Sequence, residues 1–221
     1  MIYILLCTIT LLIVIYMIYF DKTMKDFINL SFEVEDSSKN ADICKKMLDM
    51  IGNNHTNVEY NKDEKTNLSY YNHSKDTIVL KSKNDGGTRF IHIAHECIHT
   101  TQKKKFLIAN KAFSNLQIIY FLISLIYIGY NGGAEMPIIA IQILLLIGTL
   151  FVKVVIEGDA SYRSVDLAEE YLLTMFDKEK VKNYISKIRP FIYNLMPIYY
   201  YNFLSQGLIM VIVNLIIVIV I

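Results

Sequence analysis

The sequence offers no disulfide framework, because its 221 residues contain only three cysteines. Cys7 lies in an apolar block, Cys44 on a short amphipathic stretch and Cys97 inside a motif taken up below. Unpaired thiols favour a reducing compartment. A net charge of +1 and the lack of a basic stripe interleaved with aromatics give no footing for nucleic acid. The short runs Lys103-Lys104-Lys105 and Lys180 to Lys187 read as solvated faces or lipid-headgroup contacts. No internal repeat or low-complexity segment is present. The apolar blocks also lack the paired charges and repeat symmetry of a transporter. At the N-terminus there is no basic n-region and no small-x-small cleavage site, so 1–20 reads as an uncleaved anchor rather than a secretory signal.

What the chain does have is apolar residue, 53 % of the total, gathered into four blocks. Residues 1–20 carry no charge and are long enough to span a bilayer as a helix. Blocks 112–130 and 137–156 flank a turn-rich stretch, Asn131-Gly132-Gly133-Ala134-Glu135-Met136. Pro137 is placed to open the next helix, so the pair reads as a transmembrane hairpin. The fourth block, 198–221, follows Tyr199-Tyr200-Tyr201, which suits an interfacial aromatic belt. Gln142 and Asn214 inside these blocks are expected to hydrogen-bond between helices. Every Lys and Arg lies within 22–111 or 153–189. Four spans put both basic segments on one side of a cell membrane, and the positive-inside rule makes that side cytoplasmic. Lys153 can snorkel outward from the end of its span.

The expected architecture is therefore mainly α, an integral membrane protein with about four transmembrane helices. Its parts are a span over 1–20, a cytoplasmic segment over 21–111, the hairpin over 112–156, a second cytoplasmic helical segment over 157–197, and a last span over 198–221. Within the first cytoplasmic segment, Asp36-Ser37-Ser38 offers capping residues. Ala41, Cys44, Met47, Leu48 and Ile51 then recur at helical spacing, with Gly52 as the stop. Residues 56–71 are polar, with Asn, Lys and Asp common, and Thr77-Ile78-Val79-Leu80 predicts a strand. After the turn Asn84-Asp85-Gly86-Gly87, Thr88 can cap a helix that begins near Arg89.

That helix carries His95-Glu96-Cys97-Ile98-His99, an H-E-x-x-H motif. Residues four apart on a helix are turned only about 40° from each other, so both imidazoles project from one face and can bind one Zn²⁺. Glu96, about 100° around from His95, can reach a metal-activated water and serve as general base. Cys97, about 200° around, points away and reads as a packed thiol. Two histidines leave a catalytic zinc short of a protein ligand. His55 and His73 lie in polar sequence, His92 precedes His95 by one turn, and Glu157 stands just beyond the third apolar block. Composition alone leaves these open.

At these residues the chain resembles the YugP-type neutral zinc metallopeptidases of bacterial membranes. Ala94, His95, Glu96, His99 and Gln102 match a signature of the form A-H-E-x-G-H-A-x-Q. Glu157, Asp159, Ala160, Ser161 and Arg163 match a second, E-F-D-A-S-x-R-A. The two motifs stand in the same order, separated by a hairpin of apolar blocks, so the resemblance extends over most of the chain. It implies a zincin-like site with His95, His99 and Glu157 as metal ligands and Glu96 as general base. Asp159 and Arg163 would orient a ligand histidine or join two helices. The chain departs from the pattern at Ile98, Thr100 and Gly158, and in Ser69-Tyr70-Tyr71-Asn72-His73, where the family has a D-H-Y-D-P-like stretch. Ile98, in place of glycine, is expected to narrow the cleft.

The resulting expectation is a membrane-bound, zinc-dependent endopeptidase that acts on a peptide or membrane-protein substrate, with the lipid bilayer as partner and no nucleic acid. The alternative is a catalytically inactive zinc-binding membrane scaffold. An intramembrane protease is disfavoured because Arg89 and Lys103 to Lys105 flank the motif closely. Tyr71, Tyr162 and Arg163 are candidates for stabilising an oxyanion. Substrate preference, oligomeric state and native metal are not written in the sequence.

Overall fold

A computed structural model describes Ile15, Tyr19 and residues 39–61, 69–81, 88–131 and 136–220. Helix makes up 80 % of these residues, so the mainly α expectation holds. The chain divides into two compact units. One comprises 25–104 and 156–196; the other comprises 1–24, 105–155 and 197–221.

The first of these units opens with helix α1, Asn40–Met50. Cys44, Met47 and Leu48 recur on one face and are buried there, matching the sequence periodicity, and Ile43 joins them. Gly52 stops it. At φ 72° Gly52 adopts a left-handed conformation that costs glycine little. The amides of Gly52 and Asn53 then close back on the carbonyls of Asp49 (3.0 Å) and Leu48 (2.9 Å), the paired bonds of a Schellman ending. The proposed caps at 36–38 lie outside the described residues. Lys39 precedes the helix without a side-chain cap bond.

A three-stranded sheet follows, with β1 at Asn57–Tyr60, β2 at Tyr70–Asn72 and β3 at Thr77–Leu80. The order is β1-β3-β2, with β1 parallel and β2 antiparallel to β3. β3 is the strand expected from Thr77-Ile78-Val79-Leu80, and it is central: Ile78 pairs with Val58 on one side and Tyr71 on the other. β1 and the start of β2 fall in the polar stretch 56–71, for which the sequence predicted no element. Both are edge strands of only four and three residues with largely solvated side chains, too short for alternation to signal a strand. Their pairing is supplied by β3.

Helix α2, Arg89–Thr101, begins where expected, but Thr88 precedes it in a helical conformation and makes no side-chain cap bond, so its expected capping role is corrected. Helix α3 covers Lys104–Asn131, α4 covers Met136–Leu173, and α5 covers Lys178–Val220. The core of this unit joins α1, β3 and α2 to the parts of α4 and α5 that belong to it, through Ile43, Met47, Ile78, Phe90, Ala94, Val165, Tyr171 and Ile188. Complete burial of each large apolar side chain contributes about 1.5–3 kcal/mol. Phe90 and Tyr171 meet with ring centroids 5.9 Å apart. Ile98 belongs to this core at 2 % exposure. It fills space between packed elements, so the expectation that it narrows a cleft is corrected.

Among the described residues, two helices are long and apolar enough to cross a membrane, Lys104–Asn131 and Pro137–Leu173. They contain the expected blocks 112–130 and 137–156. The intervening turn at 132–135 lies outside the described residues, as does the expected span 1–20 apart from Ile15 and Tyr19. Pro137 sits in the first turn of α4, where its missing N–H breaks no helical bond. The block 198–221 is carried largely by α5, which includes the apolar stretch Phe203–Asn214. No helix break separates it from the preceding segment, because α5 continues through Pro190 and Pro197. Inside the other unit Asn214 is fully buried and donates to Ser124 Oγ and to Gln142 Oε1, the interhelical bonding expected of these residues.

Candidate metal centre

The site is assembled within the unit that holds α1, the sheet and α2. One turn of α2 separates His95 from His99, and their rings stand edge to face with centroids 4.7 Å apart. Their Nε2 atoms are 3.1 Å apart. Glu157, on α4, brings Oε2 to 3.3 Å from His95 Nε2 and 3.7 Å from His99 Nε2. Tetrahedral coordination with metal–ligand bonds of about 2.0–2.1 Å places neighbouring donors about 3.4 Å apart. The three separations bracket that edge length, and the residues offer two imidazoles and a carboxylate. His95, His99 and Glu157 can therefore hold a metal ion.

The far nitrogen of each imidazole has its own partner. His99 Nδ1 lies 2.9 Å from Gln102 Oε1; with the proton on Nδ1, deprotonated Nε2 would be the atom left to bind a metal. Ser161 Oγ stands 3.4 Å from His95 Nδ1. Gln102 follows the last residue of α2, and its amide nitrogen donates to Ile156 O at 2.7 Å and to Asp159 Oδ2 at 3.0 Å. Arg163 Nη1 reaches Thr101 Oγ1 at 3.1 Å and Asp159 Oδ2 at 3.4 Å. Asp159 and Arg163 thus bridge α4 to the end of α2.

The charges are strongly interdependent. Burial opposes ionisation of Glu157, but the two facing imidazoles outweigh it and hold the carboxyl well below its usual range. Burial likewise opposes protonation of His99, and the carboxylates of Glu157 and Glu96 more than offset that, raising its pKa. At Glu96 burial dominates and raises the carboxyl, against the opposing pull of His95 and His99. The backbone N–H of Tyr71, on β2, hydrogen-bonds the Glu96 carboxylate. A general base gains from such a shift, because it approaches the pKa of the proton it must carry.

The other candidates fall elsewhere. His55 is exposed and 3.6 Å from Asp76 Oδ2, His73 lies in the β2–β3 turn, and His92 is exposed on α2. The Cys97 thiol packs 3.6 Å from that of Cys44, away from the metal cluster as its helical angle required. Of the oxyanion candidates, Tyr71 donates its hydroxyl to Asp76 Oδ1 at 2.9 Å. Tyr162 packs edge to face on Tyr193, and Arg163 is engaged as above. Sequence reasoning assigned no role to Gln102 or Ser161. The signals were present in their positions, three residues after His99 and four after Glu157.

No family model matches the chain, and neither curated proteins nor solved structures show a match to it.

Proposed function

We propose that the chain is a membrane-bound, zinc-dependent endopeptidase with a zincin-like site facing the cytoplasm. The observation that carries this reading is the convergence of His95, His99 and Glu157 at tetrahedral-edge distances, with Glu96 one residue from a ligand. The resemblance to the YugP-type metallopeptidases, in two motifs, supports the same assignment. A zinc ion bound there would supply Lewis acidity that activates water and polarises a peptide carbonyl. Glu96 accepts the proton of the attacking water and returns it to the leaving amine, a role suited to its raised pKa. Asp159 and Arg163 keep α4 aligned with the end of α2. The two long apolar helices support residence in a lipid bilayer, with a peptide or membrane-protein segment as substrate.

The test is metal content and peptide hydrolysis of the detergent-purified protein. The wild type is expected to carry about one zinc per chain, and H95A and E157A to lose it, since a catalytic site needs three protein ligands. E96Q should keep the metal and lose hydrolysis by about 10²–10⁴-fold. Intact, folded wild type without zinc overturns the reading. Equimolar zinc with no hydrolysis makes the chain a zinc-binding scaffold instead.

A further inference from the structure

The amide of Gln102 stands between all the parts that a metal centre here must keep in register. Its oxygen meets His99 Nδ1 at 2.9 Å, while its nitrogen donates to the carbonyl of Ile156 and to the carboxylate of Asp159 at 2.7 and 3.0 Å. Ile156 immediately precedes the ligand Glu157. One planar group therefore fixes the orientation of a histidine on α2 and grips α4 beside the third ligand. Only an amide has the acceptor and the donors for this. A carboxylate could accept from His99 but would turn an acceptor toward two further acceptors.

We infer that Gln102 is a positioning residue for the metal centre, setting the proton of His99 on Nδ1 and the spacing between the two ligand-bearing helices. The inference rests on the metallopeptidase reading, and the test separates the two. Metal affinity is measured by competition with a chromophoric chelator, using Zn²⁺ and Co²⁺ alone, and the visible spectrum of the Co²⁺ form reports ligand geometry. Q102A should weaken affinity by about 10–100-fold, as loss of a histidine's outer partner commonly does, and should alter the Co²⁺ spectrum. Q102E should weaken it comparably, because its second oxygen faces Ile156 O and the Asp159 carboxylate.

The decisive variant is Q102E/D159N, which exchanges the amide and the carboxylate. The new amide can donate to the new carboxylate, which still accepts from His99, while the Ile156 carbonyl still faces an acceptor, so affinity and spectrum should return part of the way to the wild type. Wild-type affinity in both Q102A and Q102E overturns the inference and leaves the metallopeptidase reading standing. If Q102A fails to fold, the comparison of Q102E with Q102E/D159N decides alone: equal, weakened affinities overturn the inference. A wild-type protein that binds neither metal overturns the underlying reading, and the inference with it.

Discussion

Tyr71 serves the site through two separate groups. Its backbone N–H faces Glu96, and its hydroxyl is committed to Asp76. Asp76 occupies a left-handed conformation at φ 47°, one that aspartate tolerates better than most residues. Its carboxylate also accepts from Thr56 Oγ1 at 2.8 Å, which ties the β2–β3 turn to the start of β1. None of this was legible from the sequence, where Tyr71 was one of three interchangeable oxyanion candidates. A tyrosine and an aspartate five apart in polar sequence give no periodic signal. Burial, and then the bond to Asp76, push the Tyr71 phenol up to about 12. Between its ordinary value and that pKa, the folded chain retains a proton that the unfolded chain has released. The group's contribution to stability is therefore intact below the ordinary value and is lost as pH rises through this window. Y71F removes the titrating group, so its thermal midpoint, followed by circular dichroism, should fall less than that of the wild type between about pH 9 and 11.5. Equal falls in the two proteins would refute this.

Among the elements, those with a strong local signal were readable. The apolar period of α1 placed Cys44, Met47 and Leu48 on the face that is buried, where Ile43 joins them, and the glycine after it marked the end. The H-E-x-x-H helix could be placed because a motif is useful only on one helical face. β1 and β2 were not readable, since short edge strands acquire their conformation from the partner strand β3. The prolines of α5 mark no helix end in the structure. The α1 ending yields a clean test because a Cβ added at Gly52 would meet nothing within 4 Å. Any effect of G52A is then conformational, from forcing a side chain into φ 72°. A loss of about 1 kcal/mol is expected, with G52N losing less because asparagine accepts the left-handed region. Equilibrium unfolding of the three proteins measures it, and equal stabilities would remove the Schellman account of this helix end.

For the whole molecule, the sequence separates apolar blocks from charged segments, and the structure places its two compact units along much the same division. The ligand set was legible as a pair of histidines plus several possible third ligands. Proximity of Glu157 to them arises from tertiary packing across 62 residues; its place at the end of an apolar block drew notice to it, and the resemblance assigned it as a ligand. Orientation in a membrane is where the charge pattern makes its sharpest claim. All Lys and Arg lie in 22–111 or 153–189, and the proposed pair of crossings between those segments would put every trypsin site on one face. With that face cytoplasmic, trypsin added to intact spheroplasts should leave the chain whole. The same enzyme on sealed inverted vesicles should cut it, with the exposed lysines of 103–105 and the Lys178–Lys182 region among the accessible positions. Detergent should make both preparations equally sensitive. Cleavage in spheroplasts would invert the topology and place the candidate metal centre outside the cell. Cleavage from both sides would mean that an odd number of crossings separates the basic segments and would overturn the proposed topology.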